Sequence, residues 1–115
     1  MPTRSRQVLI WSSSGLALIL ATVIAAAFYT TTRTQSSFDT IEVGQTEKSV
    51  IGILGRPSVT EYPSRPFTRY AVHGCETPCA RRIWYENRLA LDMEAWSISI
   101  GDNGTVLEKY HWLSP

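Results

Sequence analysis

FDTIEVGQTEKSVIGILGRPSV, residues 38–59, carries a full set of helix start and stop signals in a short span. Thr46 stands as an N-cap, its hydroxyl able to accept from an orphan N–H of the first turn, and Glu47 beside it suits the positive helix end. Val50, Ile53 and Leu54 fall at i, i+3 and i+4 and make one apolar face. Gly55 can take the left-handed conformation that closes a helix, and Pro57 forbids its continuation. Gly44 allows a tight turn ahead of the cap. Ser37 or Asp39 is expected to start another short helical turn, with Phe38 and Ile41 facing the same way. A helix of about eight residues is marginal alone, so its stripe must pack on something.

The partner lies downstream. FTRYAVHG and ARRIWYEN flank a cysteine-bearing turn and are rich in β-formers, so a hairpin is expected there. Farther on, Trp96, Ile98 and Ile100 alternate with Ala95, Ser97 and Ser99, and Asp102, Asn103 and Gly104 form a strong hairpin turn. RLALDM between the hairpins fits either a loop or a strand extension. The fold class is therefore α+β: one or two short helices packed on a three- or four-stranded antiparallel sheet, in two layers.

Upstream, VLIWSSSGLALILATVIAAAFY, residues 8–29, contains no charged residue. A helix of roughly 20 such residues, rising about 1.5 Å each, crosses a hydrocarbon core about 30 Å thick. Arg4 and Arg6 precede it, which keeps residues 1–7 in the cytoplasm and exports the remainder. Trp11 and Tyr29 would stand near the two interfaces. Two readings fit: a retained anchor, favoured by the length, or a signal segment cut near Ala27, where Ala25, Ala26 and Ala27 supply small residues. Residues 30–37, TTTRTQSS, read as a tether, and residues 38–115 as the exported domain.

From Thr30 onward nine Lys and Arg face ten Asp and Glu, a near-neutral balance that disfavours nucleic-acid binding. In an oxidising compartment the expected state of Cys75 and Cys79 is an intrachain disulfide, closing a loop of about five residues and stabilising by about 2 kcal/mol. The competing reading is a metal site built from His73, Cys75, Cys79 and His111, although zinc requires four organised ligands. The exported part is near the lower size limit for a self-sufficient core, so a staple is physically sensible.

IEVGQTEKSVIGILGRP resembles the signature of the SmpA/OmlA domain, the fold of the BamE-type outer-membrane assembly lipoprotein. Gly44, Thr46, Val50, Leu54, Gly55 and Pro57 occupy the signature positions; Trp84-Tyr85 is similar to the family's aromatic strand, and SISIGDNGTV, with Gly104, to its closing hairpin. The resemblance implies a BamE-like two-layer sandwich and a non-enzymatic module with no cofactor. Its implied partners are envelope proteins and anionic lipid, in an accessory or scaffolding role in outer-membrane protein assembly. The chain departs from the family in having no lipobox cysteine, in Gln45 where methionine is usual, and in a longer insert over residues 61–80.

Candidates for catalysis are thin. His73 and His111 sit in no nucleophile or metal pattern, and His111 reads as a surface or edge histidine between Tyr110 and Trp112. Asp92 and Glu94 share a strand face and are more simply solvated carboxylates than an acid–base pair. Aromatics enrich protein interfaces, so Trp84, Tyr85, Trp96 and Trp112 divide between core and surface, and Arg81, Arg82, Trp84 and Tyr85 form the candidate partner rim. Three functions follow: an inner-membrane-anchored, periplasmic interaction module; a secreted inhibitor or ligand-binding domain after cleavage; or a small enzyme or metal protein.

Overall fold

Residues 4–39 form one helix, α1 (Arg4–Asp39), 36 residues long and about 54 Å from end to end. The computed structural model describes residues 4–71, 73–90 and 93–113, with residues 4–10 described by their backbone only. The remaining elements are α2 (Glu47–Leu54), β1 (Val59–Glu61), β2 (Cys79–Glu86), β3 (Glu94–Gly101) and β4 (Val106–Leu113), with a single 3-10 turn at Arg88–Ala90.

The helix does not stop where the apolar span stops. Residues 30–37, expected as a tether, are helical and continuous with it. Threonine is a poor helix former on its own. Here the Thr30 hydroxyl bonds back to the Ala26 carbonyl at 2.9 Å, and Thr31 and Gln35 are hydrogen-bonded to Glu94 and Trp96 of the sheet. Tertiary packing thus overrides propensity. The separate helical turn expected at Ser37 or Asp39 is instead the last turn of α1: the Thr40 and Ile41 N–H groups donate to the Ser37 and Phe38 carbonyls. Phe38 and Ile41 do face the same way, into the core. No basic residue lies in the last turn of α1. Lys109 of β4 supplies the cation, its Nζ donating to the Phe38 carbonyl at 2.9 Å and lying 4.8 Å from the Phe38 ring.

α2 starts and stops as its sequence dictates. The Thr46 hydroxyl accepts from the Ser49 N–H, and Gly55, at φ 85°, donates to the Ile51 carbonyl. Val50 and Leu54 pack on the core. Ile53, expected on that face, instead lines a cleft of about 330 Å³ between α2 and the Arg33–Thr34 turn of α1. Gly44, at φ 92°, turns the chain so that its N–H reaches the Val106 carbonyl and the Gln45 carbonyl accepts from the Val106 N–H.

The sheet is antiparallel in the order β1-β2-β3-β4. Gly104, at φ 77°, closes the β3–β4 hairpin, and the Asn103 side chain accepts from the Thr105 N–H. The partner of β2 on its outer edge is β1, not FTRYAVHG. Among its described residues that segment forms no ladder, because its aromatic rings and the Phe67 N–H are used elsewhere. Phe67 and Tyr70 lie 5.3 and 5.7 Å from the Trp84 ring. The Phe67 N–H donates to a side chain.

Both faces of the sheet are covered. On one, Ile83, Tyr85, Trp96, Ile98, Ile100 and Val106 meet Phe38, Ile41, Val50 and Leu54 of the helical layer. On the other, Trp84 and Ala95 meet Ala71, Val59, Phe67, Tyr70 and Trp112. The loop between β1 and β2 thus adds a third covering to the two expected layers. Within RLALDM, Arg88–Ala90 is the 3-10 turn, and Leu91 and Asp92 lie outside the described residues.

Ile98 is fully buried at the centre of the helix-facing core, so Ile98→Ala is expected to cost about 2–5 kcal/mol in urea unfolding. Thr46→Ala should cost about 1 kcal/mol through the lost cap.

Candidate functional site

The loop between β1 and β2 is organised around a carboxylate. Glu61, the last residue of β1, is fully buried and pairs in register with Arg82 of β2. One of its oxygens accepts from Arg82 Nε at 2.6 Å and from Trp84 Nε1 at 2.9 Å. The other accepts from the backbone N–H groups of Phe67 at 3.0 Å and Cys75 at 3.3 Å. Arg82 also donates through Nη2 to the His73 carbonyl at 2.8 Å, and its guanidinium lies 4.8 Å from the Trp84 ring. One side chain therefore ties both ends of the loop to the sheet. The disulfide between Cys75 and Cys79 closes the final turn and leads into β2. Burial works to raise the Glu61 pKa, but the Arg82, Phe67 and Trp84 donors outweigh it and hold the carboxyl below its ordinary value.

This arrangement corrects the expected partner rim. Arg82, Trp84 and Tyr85 are interior. Arg82 is consumed by Glu61, Trp84 fills the loop-side core, and Tyr85 faces the helices and donates its hydroxyl to the Gly55 carbonyl at 2.9 Å. Burial raises the Tyr85 pKa to about 12. Arg81 is half-buried and bonds to Glu47 of α2 through Nε at 2.7 Å and through Nη2, tying that helix to β2. Trp96 is also interior, which leaves Trp112 as the partly accessible member of the four aromatics. The cysteines of the metal-site reading are bonded to each other.

A second polar cluster lies where α1 meets the sheet. Glu94, also buried, accepts on one oxygen from the Thr31 hydroxyl at 2.6 Å and Asn87 Nδ2 at 3.0 Å. Its other oxygen is 2.8 Å from His111 Nε2. The His111 ring stacks on Trp96 with centroids 5.0 Å apart, and Trp96 Nε1 donates to Gln35 of α1 at 2.9 Å. His111 is thus an edge-strand residue with partners. Burial works against the charge on Glu94, yet the bonds from Asn87, Thr31 and His111 hold its pKa below the ordinary carboxyl value. Asp92, its expected companion, lies outside the described residues. The period of two through Trp96, Ile98 and Ile100 runs back to Glu94, yet a carboxylate at a strand end, Glu61 likewise, reads as solvated until its donors are known.

On the loop side of the sheet, a groove of about 620 Å³ runs between the disulfide turn (Cys75, Pro78, Cys79) and β4 (Leu107, Tyr110, Trp112). β4 is the last strand of the sheet. Among the described residues its outer edge pairs with the 44–46 segment near Val106 and with no further strand toward Leu113. An open strand edge is a template for another chain.

No protein-family model, curated protein or solved structure matches the chain.

Removing one partner of a buried pair leaves an uncompensated charge, so Glu61→Gln should cost about 3–5 kcal/mol in urea unfolding. With both carboxyls held below the ordinary 4.5 in the fold, the unfolded chain takes up protons first as pH falls. Their contribution is complete above pH 4.5 and is lost as pH drops through the folded values. Unfolding midpoints measured from pH 7 to pH 3 should therefore fall less steeply in a folded Glu94→Gln variant than in the native chain.

Proposed function

We propose that the chain is a membrane-anchored protein-interaction module held on the periplasmic side of the inner membrane, without enzymatic activity. The observation that carries this reading is the continuity of α1. Over residues 11–25 it is exposed on every side although strongly apolar, and from Ala26 onward the same helix packs against the sheet. A helix apolar all round with no protein cover belongs in lipid. The docked stripe starts at Ala26, and the Ala27 carbonyl accepts from Asn87 Nδ2 at 3.4 Å, so a cut near Ala27 would remove the first docked residues of the helix. That favours retention over release as a secreted inhibitor.

The partner surface we assign is the groove beside the disulfide turn with the open edge of β4, in place of the buried Arg82, Trp84 and Tyr85. Main-chain groups along an edge give affinity for an extended segment, and a neighbouring apolar groove gives side-chain selectivity. The SmpA/OmlA resemblance supports the same class: a BamE-like accessory or scaffolding subunit of envelope or outer-membrane protein assembly.

N-terminal sequencing of the membrane-bound protein should find the apolar span intact, and a photo-crosslinking residue at Tyr110 should capture a discrete envelope protein in intact cells where one at Lys48 does not. A mature chain beginning just after Ala27, or equal capture at both positions, would refute the reading.

A further inference from the structure

The domain's lower end carries an apolar rim that the anchor alone does not require. Leu89, Met93 and Leu113 are 45%, 53% and 68% exposed, and Phe28 of α1, close by, is 70% exposed. These four residues come from α1, the turn after β2, the position just before β3 and the end of β4. The register brings the last two together, because Leu113 pairs with Glu94, whose carboxylate bonds Thr31 of α1. A recess of about 370 Å³ opens between Ala27 and Phe28 of α1 and Met93 and Leu113 of the domain.

The depth of this rim follows from the helix. Counted from Val8, just beyond Arg4 and Arg6, about 20 residues at about 1.5 Å each cross a core of about 30 Å and end near Ala27. Ala27 and Phe28 are also the first α1 residues beside the rim. The apolar surface of the span therefore runs directly into that of the domain, with no polar gap between them. The exposed Arg88, next to Leu89, flanks the rim, where a long cationic side chain can reach lipid phosphates while apolar neighbours face the acyl chains.

We infer that Leu89, Met93 and Leu113, with Phe28, form a collar inserted into the headgroup–acyl boundary of the leaflet from which α1 emerges, so that the domain is held against the membrane at two places. The occupant of this surface is the bilayer itself. The collar fixes the height of the domain and its tilt about α1, which turns the groove beside β4 to one defined bearing on the membrane. The inference rests on α1 being retained and crossing the bilayer.

The test uses the full chain, disulfide intact, in phosphatidylcholine bilayers, with nitroxide labels introduced singly at Val23→Cys, Met93→Cys, Leu113→Cys and Asp102→Cys. Accessibility to dissolved oxygen and to a water-soluble nickel chelate gives each label's depth. The expected result is Val23 deep in the core, Met93 and Leu113 favouring oxygen at a depth of about 5–10 Å, and Asp102, at the opposite end of β3, favouring nickel. Met93 and Leu113 labels as open to nickel as Asp102, with Val23 still deep, would overturn the collar and leave the anchor standing. Met93 and Leu113 shielded from both reagents would place a protein chain, a second copy included, on this surface and overturn it as well. A Val23 label open to nickel would overturn the anchor, and the collar with it.

Discussion

One helix has to satisfy two surroundings, and the join between them is the Glu94 cluster. Over residues 11–25 α1 is exposed on every side; from Ala26 onward a single stripe faces protein. The change is enforced by a buried carboxylate that takes hydrogen bonds from Thr31 on the helix and Asn87 beside β2, and meets His111 on β4. Three elements distant in sequence are thus fixed to one charged group. A carboxylate drawn out of water costs several kcal/mol when its partners are missing, so the arrangement holds as a unit or not at all. The helix enters the domain as a structural member, and its orientation is carried into the sheet.

The same device recurs at Glu61, on the opposite face of the sheet. A domain of about 80 residues buries only about 60% of the surface its unfolded chain exposes. The long loop between β1 and β2 raises that share by laying Phe67 and Tyr70 over Trp84. Among the described residues the loop follows no ladder, so its backbone needs other acceptors. Glu61 accepts from Phe67 and Cys75, and Arg82, paired with Glu61, holds the His73 carbonyl. The disulfide shortens the loop's return to β2. What reads in sequence as a longer insert carrying a hairpin strand is a third layer pinned by one ion pair.

This explains which parts of the molecule could be read from sequence. α2, its caps, the β3–β4 hairpin and the apolar span are coded locally, by Thr46, Gly55, Pro57, Gly104 and periodicity, and all are found where those residues place them. Phe67 and Tyr70 carry β-forming character that would suit a strand, but their rings are committed to Trp84, a contact 14 to 17 residues away in sequence. Residues 30–37 have tether composition, yet the sheet they dock on makes them helical. Arg82, Trp84 and Tyr85 have the composition of an interface hot spot. Their burial is decided by Glu61, by the loop and by the helical layer, none of which local patterning reveals. The groove beside β4 is likewise a product of tertiary assembly, formed by the disulfide turn meeting a strand more than 25 residues downstream.

A scaffold or accessory subunit, the role proposed for this chain, works by presenting a surface in a fixed attitude, and the apolar helix, the Glu94 cluster and the sheet edge form one mechanical path. The most direct measurement is the distance distribution between spin labels on Val23 in the span and Asp102 at the far hairpin, taken by pulsed electron resonance on the full chain in bilayers. A single narrow distribution, broadened by Glu94→Ala, is the result this account requires. A broad distribution in the native chain, unchanged by that substitution, would mean that the domain swings free of its helix and would contradict it.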